Sequence, residues 1–294
     1  ISQPENIDFL RDIRRLLDSY PGATSMGEIN GENALELMAN YTSGQDKLHM
    51  AYTFDLLGRD CSVSHIRSVI KTLEGSMEQG WPCWALGNHD VERVVTRWGR
   101  DKNPEAFTRV AMAFLMSLHG SACVYQGEEL ALSEVDVPYD QIVDPYGKSF
   151  WPKYKGRDGC RTPIVWRDQP DGGFSQGEPW LPIPQAHGPR AVARQKEDSD
   201  SPLNLITQFV RWRRTVPALV RGQIQLLDSD QMLCWLRVTE RQTILAAFNL
   251  TDRGCRYRPG VSLRQSLRGH GFEGCYEDGE IYLPPYQAFF GLVA

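Results

Sequence analysis

The sequence predicts a parallel α/β fold followed by a smaller antiparallel β unit. Between residues 4 and 126, stretches with apolar residues at helical spacing alternate with short, continuous apolar runs. Residues 131–201 then lose periodicity and fill with Pro, Gly, Asp and Trp. From about residue 222, short segments of β-rich composition replace both patterns.

Taken in order, residues 4–20 carry Ile7, Leu10, Ile13, Leu16 and Leu17 at the spacing of an amphipathic helix, which Pro21-Gly22 ends. Residues 23–29 read as a short strand whose end presents Glu28, with Gly27 and Asn30 nearby. A second helix covers 31–43, with Leu35, Leu37, Met38 and Tyr41 inside, and 49–56 (HMAYTFDL) is β-rich. The third helix, 61–77, turns Val63, Ile66, Val69, Ile70 and Leu73 inward.

Residues 81–93, WPCWALGNHDVER, are the most informative stretch. The apolar run at its start is what a parallel strand covered on both faces requires, and Gly87 allows a tight turn after it. Asn88, His89, Asp90 and Arg93 are thereby delivered to one spot at a strand's C-terminal end. In α/β folds that edge is where ligands and catalytic groups collect.

Asn103-Pro104 starts a fourth helix through Phe107, Val110, Ala111, Phe114, Leu115 and Leu118, closed by His119-Gly120, and 121–126 (SACVYQ) is a fourth buried strand. One helix, three strand–helix pairs and a last strand make a parallel α/β pattern. The loop over 131–202 is far longer than an ordinary connection, which points to function. Residues 203–216 form one more helix. IQLLD, MLCWLRV, TILAAFN and EIYLPPYQAFFGLV then predict an antiparallel β-sandwich domain over 222–294, packed on the domain formed by residues 1–221.

Composition narrows the function. With 41% hydrophobic and 23% charged residues, the 294-residue chain is ordinary globular material. A net charge of -5 with interspersed signs supplies no basic stripe, so neither nucleic acid nor an anionic membrane surface is expected as a partner. No run approaches the roughly 20 apolar residues of a membrane span. Seven Cys without a CxxC pattern read as buried small hydrophobes, which suggests a reducing, cytoplasmic setting. The first residues carry neither an initiator Met nor a signal-peptide pattern and look like the middle of a longer sequence.

Four stretches in a fixed order carry a family resemblance: MGEI at 26–29, NHDVER at 88–93, YQGEEL at 125–130 and GRDGCRTP at 156–163. Together they resemble the bacterial α-glucosidases of the α-amylase superfamily, glycoside hydrolase family 13, over essentially the whole chain. The resemblance implies that the four strands are strands five to eight of a (β/α)₈ barrel. The barrel's first half, its inserted domain and any calcium-binding loop would then lie outside these residues. A companion segment carrying the N-terminal half is expected, because a half-barrel exposes two sheet edges and much of its core. No cofactor or metal site is expected within the chain.

Glycoside cleavage through an oxocarbenium-like transition state needs a carboxylic acid to protonate the leaving oxygen and a carboxylate at the anomeric carbon. From these residues alone, Glu28 would be the acid and Asp90 the nucleophile. The resemblance implies otherwise: Glu28 matches the acid/base, and Asp90 matches a third carboxylate that grips sugar hydroxyls and stabilises the transition state beside His89. The family's nucleophile sits in a GFRxD motif, which this sequence does not contain. A carboxyl partly shielded from water at a barrel rim holds its proton more tightly than an exposed one, as a general acid must. Arg157 matches an arginine near the bound glucose, where a guanidinium can bond two sugar oxygens or orient a carboxylate; the alternative is a loop ion pair with Asp158. Asn88 and Glu134 complete the candidate substrate contacts. Phe150, Trp151 and Tyr154 are candidates to stack on sugar or to pin the loop.

The expected activity is that of a retaining exo-α-glucosidase acting on terminal α-linked glucose in glucosides or short oligosaccharides, with glucosyl transfer open to the same intermediate. An oligo-1,6-glucosidase or a sucrose isomerase of the same family is the nearest alternative. A non-catalytic amylase-like scaffold is the alternative of a different class, and the presence of Glu28, His89 and Asp90 argues against it.

Overall fold

The structure is a computed structural model and describes residues 3–76 and 80–294. Helix α1 (Asn6–Asp18) leads into strand β1 (Met26–Ile29), followed by α2 (Ala34–Thr42), β2 (Met50–Thr53), α3 (Val63–Ser76) and β3 (Cys83–Ala85). The short α4 (Val94–Arg97), then α5 (Pro104–Ser117) and β4 (Ser121–Cys123), complete the first part. Each strand and helix predicted there is present, with shorter strands; Met77, the expected end of α3, lies outside the described residues.

β1 runs parallel to β2 with Glu28 opposite Tyr52, and β3 runs parallel to β4. A parallel bridge between Ala51 and Pro82 joins the two pairs, giving the order β1-β2-β3-β4. Among the described residues, β1 and β4 have no strand partner on their outer sides. Around the β1 edge, Met26 and three residues of the α1 face and its exit, Phe9, Leu16 and Tyr20, are exposed. Only part of the predicted apolar face of α1, including Ile7 and Leu10, packs on the core.

The stretch expected as a long loop contains short helices: α6 (Pro145–Phe150), α7 (Asp158–Arg161) and α8 (Val192–Glu197). The helix predicted over 203–216 is α9 (Pro202–Arg214), capped by Ser201, whose side chain accepts from Asn204 N–H. A further short helix, α10 (Pro217–Arg221), follows.

Eight strands come next: β5 (Gln223–Leu226), β6 (Leu233–Val238), β7 (Thr243–Phe248), β8 (Cys255–Tyr257), β9 (Leu263–Ser266), β10 (Cys275–Glu277), β11 (Glu280–Leu283) and β12 (Ala288–Val293). They form an antiparallel five-stranded sheet, β5-β6-β7-β12-β9, and a three-stranded sheet, β10-β11-β8. The larger sheet shares its core with the α/β part: Phe114 of α5 meets Trp235 and Phe248 edge-on, with ring centroids 5.9 and 6.0 Å apart. Fully burying such a ring is worth about 1.5–3 kcal/mol. Arg237, wholly buried on β6, donates to Gly222 O and to Ser117 O at the end of α5, a second tie between the two parts.

Candidate active site

The C-terminal ends of β1 and β3 deliver the central groups. The β1–β2 register sets Glu28 beside Tyr52, whose hydroxyl donates to Glu28 Oε2. Burial, reinforced by the Glu28 carboxylate, pushes the Tyr52 phenol well above its ordinary range, so it keeps its proton and remains a donor. Asn88, only 5% exposed, points Nδ2 at Glu28 Oε2 (3.3 Å) and Tyr52 Oη (3.4 Å). Its Oδ1 accepts the Asp90 N–H at 2.9 Å, so one carboxamide ties Glu28 to the turn bearing Asp90.

Asp90 Oδ1 is gripped from the other side. Arg157 Nη1 donates to it at 3.1 Å and Arg161 Nη2 at 2.8 Å, while His89 Nε2 lies 3.5 Å away. Arg161 also donates through Nε to the His89 carbonyl at 2.7 Å, which holds the turn itself. Glu28, Asn88, His89, Asp90 and Arg157 are thus brought into one connected rim. A groove of about 880 Å³ opens beside Glu28, lined by Asn30, Glu32, Asn33 and Tyr41 among others.

Several expectations change. Glu28 is exposed among the described residues, so the shielding expected of it is not supplied by them. The ion-pair partner of Arg157 in the loop is Asp144, with Nε 3.0 Å from Asp144 Oδ2; Asp158 instead accepts the backbone N–H groups of Val143 and Asp144. With Nε and Nη2 committed to Asp144, the guanidinium orients carboxylates and lacks a free edge for two sugar oxygens.

Arg93 and Glu134 do not join the rim. Arg93 is 3% exposed and turns behind the turn at 88–90, donating to Gln126 O at 2.6 Å and Cys160 O at 2.9 Å. Glu134 accepts the Arg93 N–H at 2.7 Å, and burial pushes its carboxyl up to about 7. Both groups brace the site from below. Gly87 also has a different reason from the one expected: a Cβ there would sit 2.6 Å from Glu128 Oε1. Glu128 and Glu129 accept the Tyr125 and Gly127 N–H groups, so the QGEE segment shapes its own turn. Trp151 packs on Tyr139 and pins the loop, whereas Phe150 and Tyr154 are exposed.

Three rim residues escaped sequence reasoning. Arg161 follows Arg157 by one helical turn, and that i, i+4 spacing was the available signal. Tyr52 falls mid-way in the stretch expected as the second strand, 49–56, so no sequence signal marked it; the shorter observed strand places it near the end. Asp144 reads in sequence only as the cap of Asp144-Pro145, a role it also fills through the Tyr146 N–H. Among the described residues, no group of three or more His, Cys, Asp or Glu is placed to hold a metal ion. None of their helices is long and apolar enough to cross a membrane.

Comparison with known proteins decides the family. The α-amylase catalytic domain matches residues 1–222. The chain belongs to that family. A probable alpha-glucosidase of Rhizobium meliloti is 41% identical over the whole chain, which spans 54% of that relative. A probable oligo-1,6-glucosidase 3 of Bacillus subtilis is 27% identical across 86% of the chain and half of its own length. Among solved structures, an alpha-glucosyl transfer enzyme, XgtA, superposes with a TM-score of 0.95 at 44% identity, covering 99% of the chain and 55% of its own. An isomaltulose synthase from Klebsiella sp. LX3 superposes at 0.87 with 23% identity, a likeness of fold. The chain therefore spans about half the length of the relatives it matches. Its four parallel strands and their helices are the second half of a (β/α)₈ barrel, followed by the family's C-terminal antiparallel β domain.

Proposed function

We propose that the protein containing this chain is a retaining exo-α-glucosidase that removes terminal α-linked glucose from glucosides or short oligosaccharides. The observation that carries this reading is the joining of Glu28 to the Asp90 turn through Asn88, with Arg157 and Arg161 closing on Asp90 from the loop. Relatives named as glucosidases support the substrate class.

In this reading Glu28 gives its proton to the glycosidic oxygen as the bond to the anomeric carbon breaks. A nucleophilic Asp on a companion N-terminal segment forms the new bond to that carbon. Water then attacks the glycosyl intermediate, Glu28 takes its proton, and the carboxylate nucleophile is released. Asp90 binds sugar hydroxyls and, with His89 and the two arginines, stabilises the charge that develops. The companion segment would pair with β1 and β4, cover Met26 and the open face of α1, and shield Glu28 from water. Seven free thiols support a cytoplasmic setting. The likeness to a glucosyl transfer enzyme favours transfer of glucose to an alcohol or sugar as a second outcome of the same intermediate.

The test is release of p-nitrophenol from p-nitrophenyl α-glucoside by a native preparation whose polypeptides are weighed by intact mass spectrometry. Turnover together with mass for the missing strands is expected, on this chain or on a second one. Turnover by a 294-residue species alone would overturn the companion nucleophile, and a complete but inactive preparation would overturn the glucosidase reading.

A further inference from the structure

We propose that Asp144 is a positioning residue, holding the Arg157 guanidinium in the one orientation that meets Asp90. Its catalytic consequence rests on the glucosidase reading above. The Asp144 side chain is fully buried, 0% exposed, yet lies in a long loop of the barrel part. It accepts from Tyr146 N–H at 3.2 Å, Arg157 N–H at 2.8 Å, Arg157 Nε at 3.0 Å and Arg157 Nη2 at 3.1 Å. The two guanidinium bonds occupy one edge of the fork, which stops the group from rotating and leaves Nη1 facing Asp90. The Tyr146 ring lies 5.3 Å from the guanidinium carbon and limits tilting.

The loop is built to hold this contact. Asp158, 1% exposed, accepts the Val143 and Asp144 N–H groups at 2.6 and 2.8 Å and fixes the backbone that carries Asp144. Gly156 has φ +85°, and a Cβ there would fall 2.8 Å from Gly147 Cα and 2.9 Å from Asp144 Oδ2. A buried carboxylate costs free energy unless fully paired. A loop staple could be satisfied within residues 143–158, but this pairing extends to Asp90, 67 residues from Arg157 in sequence. The loop is thereby tied to the carboxylate that the reaction uses.

The experiment compares the complete protein with Asp144→Asn, Arg157→Lys, Arg157→Ala and the Asp144→Asn/Arg157→Ala double variant. In Asp144→Asn an amide N–H₂ replaces one acceptor, so a donor faces a donor and the fork is lost. The expected fall in kcat on p-nitrophenyl α-glucoside is on the order of 100-fold, with KM changed much less, because misplacing a group by about 1 Å has that effect. Arg157→Lys, which keeps the charge but cannot bridge both carboxylates, is expected to fall equally and covers the case that Asp144→Asn does not fold. The double variant is expected to be no slower than Arg157→Ala, and a crystal structure of Asp144→Asn to show Arg157 withdrawn from Asp90. Wild-type kcat in Asp144→Asn or Arg157→Lys, or additive losses in the double, would overturn the proposal. A wild type inactive on α-glucosides would overturn the glucosidase reading instead, and the Arg157–Asp90 contact in the Asp144→Asn crystal structure would then decide the positioning claim.

Discussion

Replacing Glu128 by Gln should stabilise the protein in alkaline solution and leave it unchanged in acid. Glu128 is buried beneath Gly87; Oε2 accepts the Tyr125 N–H at 2.9 Å, and Oε1 has no hydrogen-bond partner. Burial pushes the carboxyl up to about 8 from an ordinary 4.5, although Arg97 and Arg93 oppose the shift. At about 1.36 kcal/mol per pH unit, that gap caps the effect at ~5 kcal/mol. The native state therefore holds a proton that the unfolded chain releases above its ordinary pKa. Stability from this source is fully present below about pH 4.5 and is lost as pH rises through about 8. A Gln amide copies the neutral acid and has no proton to lose. Urea midpoints measured at pH 4 and pH 9 should nearly coincide at pH 4 and favour the Gln variant at pH 9. A wild type that is the more stable of the two at pH 9 would show an ionised, paired Glu128 and refute the reasoning.

Tyr52→Phe removes the hydroxyl that donates to Glu28, and steady-state kinetics on an α-glucoside should show kcat reduced about tenfold, the effect of a charge-assisted hydrogen bond of about 1.5 kcal/mol. Arg161→Ala frees one side of Asp90 and the His89 carbonyl; kcat should fall about 10- to 100-fold, and the conservative Lys should restore only part of it. Arg97→Met strands the carbonyls of Leu86 and Glu92, while Gly58 O keeps its bond from Trp98 Nε1, and urea unfolding should show a loss of about 3 kcal/mol.

The α/β part was legible because its signals are local. Apolar runs such as Cys83 to Leu86 fill buried strands, and the polar cluster following each run lies at the strand end, as with Asn88 to Asp90. The C-terminal sheets were only partly legible. β8, β9 and β10 are three or four residues long and half-exposed, too short for an apolar alternation to stand out. The run from Glu280 to Val293 reads as one segment, yet Pro284-Pro285 splits it into β11 and β12, which belong to different sheets. Around the site, sequence found Glu28 and the Asn88–Asp90 turn and missed the side chains that tie them together, Tyr52, Asp144 and Arg161. Glu134 serves the Arg93 N–H, 41 residues away, and Asp144 serves the Arg157 guanidinium. Neither pairing leaves a periodic trace.

The central claim is that Glu28 is the acid/base of a retaining glucosidase. It is tested most directly with Glu28→Ala in the complete protein, using p-nitrophenyl α-glucoside, whose leaving group needs little acid assistance, in the presence of azide. Without Glu28 to activate water, the glycosyl intermediate should accumulate, and azide should restore turnover and yield α-glucosyl azide with net retention. A β-glucosyl azide product would make Glu28 the nucleophile, and a rate insensitive to azide would contradict the assignment altogether.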